Sequence, residues 1–294
     1  MTKDADTPVV TQEMIALFDD YTHLSLDRRR FMDNLAKLAG SVAAATAAAA
    51  MMASNAKAQG IVPDTDPRLR IEDVTYTGPR GDIRGYLARP AEGGAFPAVI
   101  VIHENRGLNA HIKDITRRVA LEGFLALAPD FLSDLGGTPA NEDEARNLFG
   151  QLVPTDVTAN GVATVTYLQT HEASTSRIGA MGFCWGGGQV NNLAIASPDL
   201  LAGVAYYGNQ PELEGVPQIK ARLMLHYAGL DDRINAGIAP FEAALKAANI
   251  DYQLFMYDGA NHAFNNETAA ARYNKEAADL AWSRTIGFFR ETLV

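Results

Sequence analysis

The chain has 294 residues, 47% of them apolar and 20% charged, with a net charge of −10 and a single cysteine. That length and composition allow one full hydrophobic core. The negative balance, with no basic cluster interleaved with aromatics, weighs against a nucleic-acid partner, and one thiol excludes an internal disulfide.

The first sixty residues differ from the rest. Thr11 is a candidate N-cap ahead of Met14, Leu17, Phe18 and Tyr21, whose spacing predicts a short amphipathic helix. Arg28-Arg29-Arg30-Phe31 then follows the twin-arginine export pattern of two arginines, any residue and a phenylalanine. From Leu38 to Ala56 the chain carries no charge and is mostly alanine, and Ala56-Lys57-Ala58 fits a small-x-small cleavage site. Residues 1–58 are therefore expected to hold an export leader, with Gln59 as the first mature residue. The expected partner is the twin-arginine machinery, and the destination the periplasm or the medium. Because alanine inserts into lipid far less readily than leucine, a permanent anchor ranks second. A third reading makes residues 34 to 56 a retained alanine-rich helix of a cytoplasmic protein.

Residues 59–294 read as one α/β domain. Ile71 to Tyr76 and Ile83 to Ala88 flank a Gly-Pro-Arg-Gly turn and predict an antiparallel hairpin. Buried-type strands are predicted at Ala98 to Ile102, Phe124 to Ala128, the run up to Phe183, Leu201 to Tyr207, Arg222 to Tyr227 and Tyr252 to Tyr257. Helical patterns separate them at His111 to Leu121, Asn141 to Phe149, Asp156 to Gln169, Gly186 to Ala196 and Ile238 to Ala248, and Ala278 to Thr292 closes the chain. This alternation predicts a mostly parallel, doubly wound sheet, with chemistry gathered beyond the carboxyl ends of its strands.

The most informative stretch is Gly182-Phe183-Cys184-Trp185-Gly186-Gly187-Gly188. A strand that runs into glycines on both sides of one nucleophilic side chain, and then into a helix, reads as a nucleophile elbow. The plainer reading of a lone cysteine is a small buried filler, but packing alone asks for no glycines at 182, 186, 187 and 188. A nucleophile needs a base, and the order along such a chain is nucleophile, acid, histidine. Beyond residue 226 the one histidine is His262, in a loop whose composition suits an exposed imidazole. The acid belongs on the loop Gly229 to Asn235. Asp231 is preferred over Asp232 because Ile234 then falls where the chain re-enters the fold, although either aspartate alone is equally an ordinary turn residue. His226 reads as a satisfied strand-end histidine and His103 as a neighbour of the site. The six histidines lie too far apart for a zinc-type spacing, so neither metal nor organic cofactor is expected.

On these residues the sequence resembles the dienelactone hydrolase family, a cysteine branch of the α/β-hydrolases. The matching stretches are Gly182 to Gly187, Asp231, Gly259 to Phe264, and His103 to Gly107, within residues 70 to 294. The resemblance implies an α/β-hydrolase fold and hydrolysis of a small ester or lactone by Cys184, His262 and Asp231 through an acyl-cysteine intermediate. It gives Glu104 the task of holding the resting thiol until substrate arrives. The backbone amides of Asn105 and Trp185 would form the oxyanion hole. One position departs from the family pattern: Asn266 stands where an arginine would clamp a substrate carboxylate. Arg146, in the helical region before the elbow, is a candidate match to a second family arginine, and Arg106 is a candidate substitute clamp. The same machinery could serve a thioesterase or acyl transferase, and an inert Cys184 would leave a binding protein.

Overall fold

The computed structural model describes residues 9–23, 26–53 and 60–294. Three helices come first: α1 (Gln12–His23), α2 (Arg28–Ala39) and α3 (Val42–Met52). Thr11 caps α1, its hydroxyl accepting from Met14 N at 3.3 Å. The alanine-rich run is not one rod. Gly40 takes a left-handed φ of 78° and ends α2, Ser41 caps α3, and the two helices meet at 110°. Among the described residues no single helix is long and apolar enough to cross a membrane. The cleavage site expected at Ala58 and Gln59 lies outside the described residues.

The body follows as β1 (Leu69–Thr77), β2 (Asp82–Pro90), β3 (Phe96–Ile102), α4 (Ala110–Leu121), β4 (Leu125–Pro129), α5 (Glu142–Phe149), α6 (Pro154–Thr170), β5 (Ser174–Phe183) and α7 (Trp185–Ala196). It is completed by β6 (Leu200–Tyr206), β7 (Arg222–Ala228), α8 (Asp232–Asn235), α9 (Ile238–Ala247), β8 (Tyr252–Tyr257) and α10 (Lys275–Leu293). The eight strands form one sheet in the order β1-β2-β4-β3-β5-β6-β7-β8, antiparallel at the β1–β2 and β2–β4 pairs and parallel elsewhere. Strand order reverses around β3, so helices cover both faces.

Side-chain alternation shows why the central strands are continuously apolar. Val99 and Val101 enter the core beneath α4 and α10, whereas Ala98, Ile100 and Ile102 enter the core beneath α6, α7 and α9. A strand buried on both sides has no place for a polar residue until it leaves the sheet. The loops after β3, β5, β7 and β8 are where polar chemistry begins, and all four border one cavity or its walls.

A third apolar cluster belongs to α1–α3, where Phe18, Tyr21, Phe31, Leu35, Ala45, Ala48 and Met52 are buried together. The cluster docks on the body through named bonds. Arg146 Nη1 donates to Tyr21 O at 2.9 Å, Asn105 Nδ2 to Thr22 O at 2.9 Å, and Arg272 Nε to Met52 O at 3.1 Å.

Candidate active site

Strand β5 delivers Cys184 at φ 55° and ψ −115°, a conformation that costs a residue with a Cβ about 1–3 kcal/mol and survives only where neighbours over-determine it. The neighbours are glycines because the turn is closed on itself. A Cβ on Gly182 would stand 2.3 Å from Gly186 O, and one on Gly186 would stand 2.4 Å from Ile102 O. Gly188 is different: a Cβ there meets only ordinary contacts near 3.5 Å, so the elbow does not demand that glycine. Cys184 N donates to Tyr206 O at 3.0 Å and fixes the turn to β6. Helix α7 starts at the next residue, so its unpaired amides favour negative charge on the sulfur. Cys184 is 6% exposed, packs within the core beneath α4 and α10, and borders a cavity of about 520 Å³.

His262 Nδ1 donates to Asp231 Oδ2 at 2.5 Å. Asp231 is held in turn, its other oxygen accepting from Ile234 N at 3.3 Å while Ile234 is buried three residues on. The imidazole is not exposed, as its loop composition suggests, but 1% accessible. Tyr207 and His23 pack on it with ring centroids at 5.0 and 4.5 Å, and polar loop composition carries no information about such tertiary cover. Burial alone would lower its pKa, yet once the Cys184 sulfur carries negative charge, that charge and the bond to Asp231 raise it to about 10, so the ring keeps a proton that it receives from the thiol. Asp231 is likewise penalised by burial but held below the ordinary carboxylate range by His262. The second ring nitrogen, Nε2, is buried without a conventional hydrogen bond among the described residues.

The remaining predicted residues separate into those that reach the cavity and those that do not. Asn105 and Trp185 line it. Glu104 is buried, and its Oε2 accepts from Asn266 Nδ2 at 3.1 Å. His103 donates from Nδ1 to Glu104 O at 2.8 Å, accepts from Phe131 N, and stacks on Trp185, so it braces the loop. His226 is tied to Tyr257 and Thr285, a satisfied core residue. Arg106 bonds Glu142 O and Asp143 and does not line the large cavity, while Arg146 lines it but is already bonded to Tyr21 O and lies over the Tyr21 ring at 4.1 Å.

Two residues that the sequence does not single out also reach the site. Arg233, next to Asp231 and Asp232, lines the cavity and has no ion pair or hydrogen bond with the described residues. His23, at the end of α1, places Nε2 3.0 Å from Cys184 Sγ. No local pattern links residues 161 positions apart, and an export leader gives no reason to search for one. A nitrogen from each of His23 and His262 and the sulfur lie within 4.8 Å of one another, so histidines distant in sequence do converge on the cysteine. Tetrahedral zinc with bonds of about 2.0–2.3 Å would hold its ligand atoms about 3.5 Å apart. The 3.0 Å contact is a hydrogen-bond length, which favours acid–base chemistry in this cluster.

Residues 83–293 match the dienelactone hydrolase family. The chain belongs to that family. Among its relatives, a protein of Synechocystis named "Putative carboxymethylenebutenolidase" is 33% identical over 239 residues, covering 75% of this chain and 96% of that one. A protein of the same name from Saccharolobus solfataricus is 33% identical over 255 residues, covering 74% and 98%. Among solved structures, one titled as a putative dienelactone hydrolase from Klebsiella pneumoniae is 28% identical with a TM-score of 0.69, covering 76% of this chain and 99% of its own. The α/β-hydrolase fold and membership of a hydrolase family are therefore established for this dienelactone hydrolase relative, and His23 lies outside the matched range.

Proposed function

We propose that this family member hydrolyses a small ester or lactone through an acyl-cysteine intermediate. The observation that carries the reading is one constellation: a strained, cavity-lining thiol beside a buried imidazole whose far nitrogen is 2.5 Å from a carboxylate. His262 Nε2 takes the proton of Cys184, and Sγ bonds to the substrate carbonyl carbon. The resulting oxyanion is received by the backbone amides of Trp185 and Asn105. As it collapses, the C–O bond breaks and the leaving alkoxide takes the proton from His262. A water, deprotonated by the same imidazole, then attacks the thioester, and the sulfur leaves as the second product forms. Asp231 keeps the imidazole in the required tautomer.

Arg233 supplies the reading of the substrate. A guanidinium on the wall of the cavity, with no hydrogen bond or ion pair among the described residues, suits a substrate that carries a carboxylate, a task that neither Arg106 nor Arg146 is free to perform. Export by the twin-arginine route is part of the same proposal, supported by Arg28-Arg29-Arg30-Phe31 ahead of an uncharged, alanine-rich run. The test is a screen of activated esters and lactones with the full chain beside Cys184→Ala. Turnover is expected only with the cysteine present, and hydrolysis surviving in the variant would remove the thiol from the mechanism.

A further inference from the structure

Helix α1 ends on the nucleophile, and the bonds of its last side chain define which proton state of the sulfur it prefers. His23 Nδ1 lies 3.0 Å from Asp19 O and 2.9 Å from Thr22 Oγ1. A carbonyl oxygen can only accept, so Nδ1 carries the ring proton; the Thr22 hydroxyl is itself directed to Phe18 O and Asp19 O. Nε2 is then left with a lone pair, 3.0 Å from Sγ. A lone pair facing sulfur is satisfied by S–H and repelled by S⁻. Protonation of His23 gives no relief, because burial first, and then the charge of Arg233, hold its pKa well below 6.5. The other charged groups near the ring are Arg272 and the Asp19 carboxylate, 3.6 Å from each other.

We propose that His23 is a positioning residue that holds Cys184 as the resting thiol, so that α1 restrains the nucleophile until His23 leaves the sulfur. The proposal rests on the reading of Cys184 as the nucleophile and adds the regulation of that site. Two neighbours therefore compete for one proton. His23 holds it on sulfur as an acceptor, and His262 removes it. When His23 withdraws, the S–H bond breaks, the proton passes to His262 Nε2, and a thiolate remains beside an imidazolium. Substrate needs the same withdrawal, because its carbonyl carbon must come within about 3–3.5 Å of sulfur, in space that Nε2 now holds. The restraint is set up by the docking of the helix. Thr22 O is bonded to Asn105, a residue of the proposed oxyanion loop, and Tyr21 O to Arg146 on the cavity wall, so movement of α1 would be felt at both. A thiol kept un-ionised is also less open to oxidation than a standing thiolate.

The experiment uses the full chain with His23→Ala and His23→Phe, the second keeping a ring of similar bulk without the nitrogen. Thiolate absorbance is titrated against pH, and the Cys184→Ala spectrum is subtracted so that the one cysteine is read alone. Both variants should titrate about one pKa unit lower than the wild type, and below that midpoint both should react with iodoacetamide about tenfold faster. If one variant does not fold, the other carries the comparison. Faster labelling in His23→Ala alone, with unchanged midpoints, would mean that His23 is only a cover, and a raised midpoint would mean that it donates to a thiolate. Either result overturns the proposal. Hydrolysis is scored separately: if Cys184→Ala retained turnover while the midpoints moved, the mechanism would fail and the restraint would stand.

Discussion

At residue scale the site depends on what Asp231 does to His262. A buried imidazole with no charged partner would be a weak base, and negative charge on the Cys184 sulfur together with the bond to Asp231 reverses that. Asp231→Asn should bring the His262 pKa down from about 10 and lower kcat by about 10²–10⁴ with little change in KM, as an NMR titration of the ring and steady-state kinetics would show. With the sulfur ionised, the cluster of Cys184, His262 and Asp231 predicts a pH dependence of stability. Because the folded pKa of about 10 exceeds the ordinary 6.5, the folded state holds the proton more tightly than the unfolded chain. That stabilisation is whole below about pH 6.5 and is lost as the pH rises through about 10, so urea melts across this window should weaken with pH in the wild type and less so in His262→Gln. At the cavity wall, Arg233→Ala should raise KM about tenfold for an ester bearing a carboxylate and leave a neutral ester unaffected. Equal effects on both esters would show that Arg233 does not read charge.

At the scale of elements, the elbow is a contact between backbones more than a turn. Gly186→Ala would force a Cβ to within 2.4 Å of Ile102 O and 2.5 Å of His103 O, atoms of β3 and the loop that carries Asn105. Backbone on both sides cannot yield as a flexible side chain would, so the variant should lose several kcal/mol, about 2–4, and melt at lower temperature by calorimetry. On the proposed mechanism any folded fraction should also lose hydrolysis, because the thiol and the loop that carries Asn105 are displaced together. Gly188→Ala, where a Cβ meets only ordinary contacts, is the control and should melt close to the wild type. The helical patterns over His111 to Leu121 and Ala278 to Thr292 are readable because each of those helices lies on one face of the sheet and repeats accordingly, whereas α7, buried over most of its length, is readable from the elbow that precedes it. Helix α8 was not readable. Four residues, Asp232–Asn235, are too few to show a period, and the helix is capped by the carboxylate that also holds His262.

At the scale of the molecule, the N-terminal helices carry the arginine motif of the proposed leader and form a wall of the site. If export is by the twin-arginine route, Arg28→Lys with Arg29→Lys should leave the protein in the cytoplasm, and fractionation of expressing cells would measure it. Unchanged export would remove that route. In the folded chain Arg28 is paired with Asp143, and Phe31 is 2% exposed within the cluster of α1–α3, so the motif must be released from the body before any machinery can read it.

Alternation of strand and helix, glycines around one thiol, and the order Cys184, Asp231, His262 were all legible in the residues, because each depends on local backbone geometry or on chain order. Strands buried on both faces must be apolar, and a tight turn must lack side chains, whatever the rest of the chain does. Burial of His262, commitment of Arg146 to Tyr21, the open side chain of Arg233 and the His23 contact with sulfur were decided only by folding. They depend on which surface a distant segment covers, and a periodic pattern shows that a helix has an apolar face without showing what that face will meet.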